Sequence, residues 1–158
     1  MTNVSPQVAD SAAPMRRALE VAAEAGRRGD APVGAVLVDG ASGAVIAEAG
    51  NRVERDADPT AHAEMLVLRA GAASLGAKRL PACDLYVTLE PCAMCAGAIA
   101  LARIRRLYFG AYDPKGGGVE HGARVFLQPT CNHRPEVVGG VGASRAEALL
   151  KGFFAARR

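Results

Sequence analysis

Cys92 and Cys95, three apart at the opening of the run Pro91-Cys92-Ala93-Met94-Cys95, can set both sulfurs on one face of a helix start. The positive dipole end of such a start favours thiolates, the form that binds a metal. Two thiolates are an incomplete site, because catalytic zinc takes three protein ligands and keeps a fourth position for water. The third ligand lies upstream, where Asp58-Pro59-Thr60-Ala61-His62-Ala63-Glu64 puts a His-x-Glu on what reads as a second helix start. With zinc held by His62, Cys92 and Cys95, two thiolate charges offset the dication and a water in the fourth position has its pKa lowered to roughly 7. Glu64 has no place among the ligands but sits two residues from one. It can take the water's proton and return it to a leaving group, help worth about 10²–10⁴ in rate.

Each of these residues has a plainer reading. A lone His62 at a helix start would be a cap or core contact, and Glu64 by itself a solvated carboxylate. For the cysteines the plainer reading is a structural zinc site, closed by four protein ligands with Cys131 or His133 as the fourth. A closed site has no use for Glu64, so the combined pattern favours chemistry. Cys83 reads as a small buried residue and Cys131 as a loop thiol.

The rest of the chain must bring the two helix starts together. Met15, Ala18, Leu19, Ala22 and Ala23 recur at helical spacing up to a stop at Gly26. Val33 to Val38 reads as a buried strand, Asp39 to Gly43 as its turn and Ala44 to Ala49 as the returning strand. Asn51 to Ala57 is polar and irregular. Pro59 keeps Asp58 out of helical geometry, so the helix starts near His62 and runs to about Leu75 before Gly76. Leu85 to Leu89 is a short β-rich run ending at the cysteine helix, which extends to about Arg103. Arg106 to Tyr112 is a further strand, and the crossover makes a βαβ unit with parallel strands. After the loop Lys115 to Gly118, Val125 to Leu127 suggests one helical turn and Glu136 to Val141 an edge strand. Ser144 with Glu147 has the form of a capping box for a last helix ending in Arg157 and Arg158.

A chain of 158 residues suits a single domain, here residues 14–158 behind a flexible tail over 1–13. Half the residues are hydrophobic and 22% charged, as in a globular protein. A net charge of +3 permits an RNA partner without requiring one. No secretory signal or membrane-spanning run is expected, which points to the cytoplasm, where Cys-x-x-Cys holds metal more often than a disulfide.

The pattern His-x-Glu…Pro-Cys-x-x-Cys is the signature of the zinc deaminases, and nearly the whole chain resembles the bacterial tRNA adenosine deaminases, which convert wobble adenosine to inosine. The resemblance runs through Met15-Arg16-Arg17-Ala18-Leu19, Pro32 to Val38, Asn51-Arg52, Asp58 to Glu64, Leu85 to Gly97, Phe109 to Asp113, Asn132-His133-Arg134 and Leu149 to Phe154. It implies a cytidine-deaminase-like three-layer α/β/α sandwich with a five-stranded mixed sheet. It also implies one Zn2+ per subunit, attack on C6 with release of ammonia, and a homodimer sharing a surface for the tRNA anticodon stem-loop. By the same resemblance Asn51 contacts the flipped nucleoside, the Ala63 N–H reads the purine, and Val33 and Pro91 wall the pocket. Asp113, Lys115, Asn132, His133, Phe153 and Phe154 match regions that touch the anticodon loop. An unpaired loop suits the chemistry, since its bases turn out into a pocket at low cost. Two departures bear on RNA contact. Ala13-Pro14 stands where the family has Tyr-Trp, and Leu127 to Cys131 where it has a histidine-rich run.

Two rivals remain open at this point. A free-base guanine deaminase has very similar His-Ala-Glu and Glu-Pro-Cys-x-Met-Cys segments, although the Phe-Phe-x-x-Arg-Arg end is of no use to it. A non-catalytic zinc-stabilised RNA-binding protein would have no need of Glu64.

Overall fold

The computed structural model describes residues 12–157, so most of the expected tail and Arg158 lie outside the described residues. The chain forms α1 (Ala13–Arg27), β1 (Gly34–Asp39), β2 (Val45–Gly50), α2 (Val53–Asp56), α3 (Ala63–Leu75), β3 (Cys83–Leu89), α4 (Ala93–Leu101), β4 (Arg106–Ala111), a 3-10 turn (Val125–Leu127), β5 (Glu136–Val138) and α5 (Ala143–Ala155). The strands make one mixed sheet in the order β2-β1-β3-β4-β5. β1 runs antiparallel to both β2 and β3. β3 and β4 are parallel, from Asp84 opposite Arg106 to Leu89 opposite Ala111, and β5 lies parallel to β4.

The sheet is covered on both faces, which is why β1 reads as an unbroken apolar run and not as an alternation. Ala35 and Leu37 face a core built with Val67, Ile99, Leu85 and Phe109. Val36 and Val38 face a second core with Met15, Ala18, Leu19 and Ala146. Thus α3 and α4 cover one face, α1 and α5 the other, and the architecture is the expected three-layer sandwich. α1 lies so close to β1 that a Cβ on Gly34 would meet the Ala18 carbonyl and stand 2.7 Å from the Ala22 nitrogen.

Two local expectations differ from what is seen. The stretch Asn51 to Ala57 contains α2, because the buried carboxylate of Asp30 accepts the Glu54 N–H at 2.8 Å and so caps a helix from 24 residues away. The Ser144–Glu147 capping box does not form. Gly142, at φ 68°, turns the chain into α5, which leaves Ser144 inside the first turn with no side-chain cap.

The crossover from β3 through α4 to β4 sets the position of everything that follows. β3 ends at Leu89, Glu90 and Pro91 follow, and Cys92 opens α4. The start of α4 therefore lies at the carboxyl end of β3, the end of parallel strands where ligand sites form in open α/β sheets.

Candidate active site

His62 and Cys92 hold equivalent places. Each is the N-cap residue of its helix in extended backbone geometry, His62 at φ −70°, ψ 149° and Cys92 at φ −69°, ψ 173°. Neither side chain caps its own helix. They turn to each other instead: His62 Nδ1 lies 3.6 Å from Cys92 Sγ and 3.5 Å from Cys95 Sγ. Cys95, one turn into α4, is fully buried. Among the described residues these three form the metal-capable group, with ligand atoms all within 4.8 Å of one another. Tetrahedral zinc with bonds near 2.3 Å to sulfur and 2.0–2.1 Å to nitrogen requires S···N edges of about 3.6 Å. The donor set fits zinc in both geometry and chemistry.

Protonation tells the same story. The Cys92 thiol is lowered to about 4, first by its hydrogen bond with Cys95 and then by His62, against the cost of burial. The Cys95 thiol is driven up, first by that same hydrogen bond and then by burial. His62 is raised, chiefly by its hydrogen bond with Cys92. Three groups sharing protons at this spacing are groups that a dication can displace protons from.

Glu64 stands on the first turn of α3, 4% exposed, and burial pushes its carboxyl above the ordinary carboxylate range. His62, Glu64 and Cys92 line a cavity of about 580 Å³, a size typical of small-molecule sites.

Of the other residues expected there, Val33, Asn51, Asp113, Lys115 and Phe154 line the cavity. The Asn51 side-chain oxygen accepts the Val53 N–H at 2.8 Å, which leaves its Nδ2 to donate. Ala63 is buried at the first position of α3, where a backbone N–H has no intrahelical partner. Pro91, expected to wall the pocket, is buried and is not among the residues that line the cavity; its carbonyl takes the Gly118 N–H at 2.8 Å. Phe153 is separated from Phe154 by the helical turn between neighbours. Its ring packs edge-on to Phe154 with the Arg157 guanidinium 3.4 Å over its face.

Asn132 and His133 are not at the cavity. Asn132 borders a separate hollow with Gly97, Leu101 and Arg103, and His133 Nε2 donates to the Ile104 carbonyl at 2.7 Å. Cys131 Sγ is likewise engaged, with the His133 carbonyl at 3.1 Å. Neither joins the metal group, so the closed four-ligand site is not formed.

Six cavity residues were not singled out from sequence: Ala31, Leu89, Glu90, Tyr112, Gly116 and Leu150. Glu90 was hidden within the motif, although an acidic residue directly before Pro91-Cys92 in an apolar run was a signal that could have been followed.

Comparison with known proteins agrees with this geometry. Residues 9–111 match the cytidine and deoxycytidylate deaminase zinc-binding region. The chain is 55% identical over 144 residues to the tRNA-specific adenosine deaminase of Agrobacterium fabrum, covering 91% of this chain and 93% of that protein. It is 44% identical to the protein of that name from Bacillus subtilis, over 89% of this chain and 86% of the relative. A structure solved in a study of A-to-I editing by tRNA:A34 deaminases superposes with a TM-score of 0.84 at 55% identity, covering 87% of this chain and 98% of the other. Guanine deaminase from Nitrosomonas europaea superposes at 0.78 with 25% identity, over 98% of this chain and 87% of that one. The chain belongs to the zinc-dependent cytidine and deoxycytidylate deaminase family, in the group of the tRNA-specific adenosine deaminases.

Proposed function

We propose that the protein hydrolyses adenosine to inosine at the wobble position of a tRNA anticodon and releases ammonia. One observation carries the chemistry: the buried Glu64 carboxyl shares a nucleoside-sized cavity with His62 and Cys92, two members of the donor group that the buried Cys95 completes. The extent and identity of the match to tRNA-specific adenosine deaminases carries the substrate.

Zinc, when bound, supplies a Lewis acid and makes water a usable nucleophile near neutral pH. Glu64 takes a proton from the water as its oxygen bonds to C6, then gives a proton to the exocyclic nitrogen as the C6–N bond breaks. A carboxyl whose proton affinity is raised by burial is the better suited to hold a proton between the two transfers. Asn51 Nδ2 donates to the nucleoside, the Ala63 N–H reads the purine, and Val33 and the Pro91 region exclude water around the ring. Lys115 and Phe154 meet the flanking nucleotides, the first by charge and the second by stacking. Asp113 contributes less directly, since its Oδ1 is occupied by the Lys115 and Gly116 N–H groups at 3.2 and 2.9 Å.

The working unit in this reading is a cytoplasmic homodimer. α4 is apolar on every side, yet Leu101 is 77% exposed and Met94 is also open to solvent, a face that a second copy would cover. Asn132 borders the same face and lies away from the cavity, which fits RNA contact shared between two copies. Among the described residues no helix is long and apolar enough to cross a membrane.

The test is inosine formation by the zinc-loaded protein on an anticodon stem-loop with adenosine at the wobble position, beside free guanine, cytidine and adenosine. Turnover of the stem-loop alone is expected. Consumption of guanine with the RNA untouched would replace the substrate while keeping the chemistry. RNA binding without turnover of any compound would remove the chemistry as well.

A further inference from the structure

Glu90 stands two residues before a metal ligand, lines the cavity, and has no part in the proton transfers. Its side chain is fully inaccessible. A carboxylate so placed must find donors within the protein, and all of its donors come from one segment, residues 113–121. Oε1 accepts the Asp113 N–H at 3.1 Å, and Oε2 accepts the N–H groups of Val119, Glu120 and His121 at 3.2, 3.0 and 3.1 Å. The remaining donor is a side chain: His121 Nδ1, 2.8 Å from Oε1.

The segment also fits its seat without slack. A Cβ on Gly117 would run into Glu90 Oε2, and one on Gly118 would stand 2.5 Å from the Ala93 nitrogen at the start of α4. The near end of the segment, Asp113 to Gly116, is a wall of the cavity. Glu90 therefore ties the metal-bearing strand–helix junction to the surface that faces the substrate. His121, partly exposed with its ring edge-on to Tyr112 at 6.2 Å, closes the tie from outside.

We propose that Glu90 and His121 are positioning residues that fix segment 113–121 as the RNA-facing wall of the cavity, an inference that rests on the tRNA reading above. Neither touches the reacting atoms. What they set is the place of Lys115 and of the Asp113 turn relative to the zinc donors.

The test uses the full zinc-loaded chain with His121→Ala, His121→Asn and Glu90→Gln. It reads zinc content, KM and kcat on the anticodon stem-loop, and amide hydrogen exchange of residues 113–121. His121→Ala should keep stoichiometric zinc and kcat within about twofold. Its KM should rise about tenfold, the scale of one lost hydrogen bond to a charged group, with faster exchange at Val119 and Glu120. Asn places its amide nitrogen near the site of Nδ1, so His121→Asn should recover most of the KM. Glu90→Gln should move KM and exchange further in the same direction, because one amide cannot accept from all of these donors.

Wild-type KM and exchange in His121→Ala would overturn the proposal, as would equal losses in the Ala and Asn variants or a loss confined to kcat. Exchange is measured without RNA. If the wild-type protein ignores the stem-loop, the tRNA reading fails while the tie between Glu90 and the segment is still judged by exchange alone.

Discussion

Replacing Glu64 by Gln keeps the size and shape of the side chain and removes its ability to carry a proton. If Glu64 moves protons in the rate-determining chemistry, turnover falls by at least about 10²-fold, which is about 2.7 kcal/mol of barrier. The structure adds a condition on stability. The carboxyl is 4% exposed and burial raises its pKa, so its ionised form burdens the folded state and a neutral amide does not. The variant should melt no lower than the parent, and it should retain one zinc per chain because Glu64 is outside the donor group. The assay is inosine release under saturating stem-loop, with metal analysis and thermal melting of the same preparation. Parental turnover would remove Glu64 from the mechanism. Lost turnover accompanied by lost zinc or a clearly lower Tm would make the residue structural and refute the reasoning.

Cys92→Ala should lose both zinc and activity, measured by metal analysis after dialysis; tight zinc in the variant would mean that another donor completes the site. If the proposed homodimer pairs through the open face of α4, Leu101→Arg should lower the mass in light scattering at micromolar protein from dimer to monomer, and an unchanged mass would refute pairing through that face. Gly34→Ala should cost about 2–3 kcal/mol, roughly 5–10 °C in Tm, because the added methyl meets backbone of α1 that cannot yield; a neutral effect would show that α1 floats on the sheet. Tyr86, stacked on Tyr108 at 4.4 Å between ring centres, has its phenol pushed up to about 12, mainly by burial. The folded chain thus keeps a proton that the unfolded chain releases near pH 10, so stability falls as pH climbs from about 10 toward 12. Absorbance titration should find a late-titrating phenol that Tyr86→Phe removes, and the same variant should soften the alkaline loss.

Motifs and periodicity made the donors, Glu64, the helices that carry them and the parallel crossover legible, because each depends on neighbours within a turn or a strand. What escaped depends on distant partners. α2 exists through Asp30, 24 residues upstream, and nothing within Val53–Asp56 announces it. The capping box at Ser144 was a sound local pattern that lost to Gly142, whose left-handed turn begins the helix earlier. Glu90 looked like motif filler, and only the return of residues 113–121 over it reveals a hub. Asn132 and His133 were expected at the substrate by resemblance, and in a single chain they lie on another face.

His62 and Cys92 occupy the two positions where a helix ordinarily receives a Ser, Thr, Asp or Asn cap, and they spend them on a shared ion. Viewed as polymer topology, that ion is a cross-link between residues 30 apart. Closing a loop of that length removes about 4 kcal/mol of freedom from the unfolded chain in the chain-entropy view. Unlike a disulfide, this link withstands a reducing compartment and can be undone by a chelator. It also ties the starts of two helices to one ion, so metal supply bears on the stability of the sandwich as well as on the reaction.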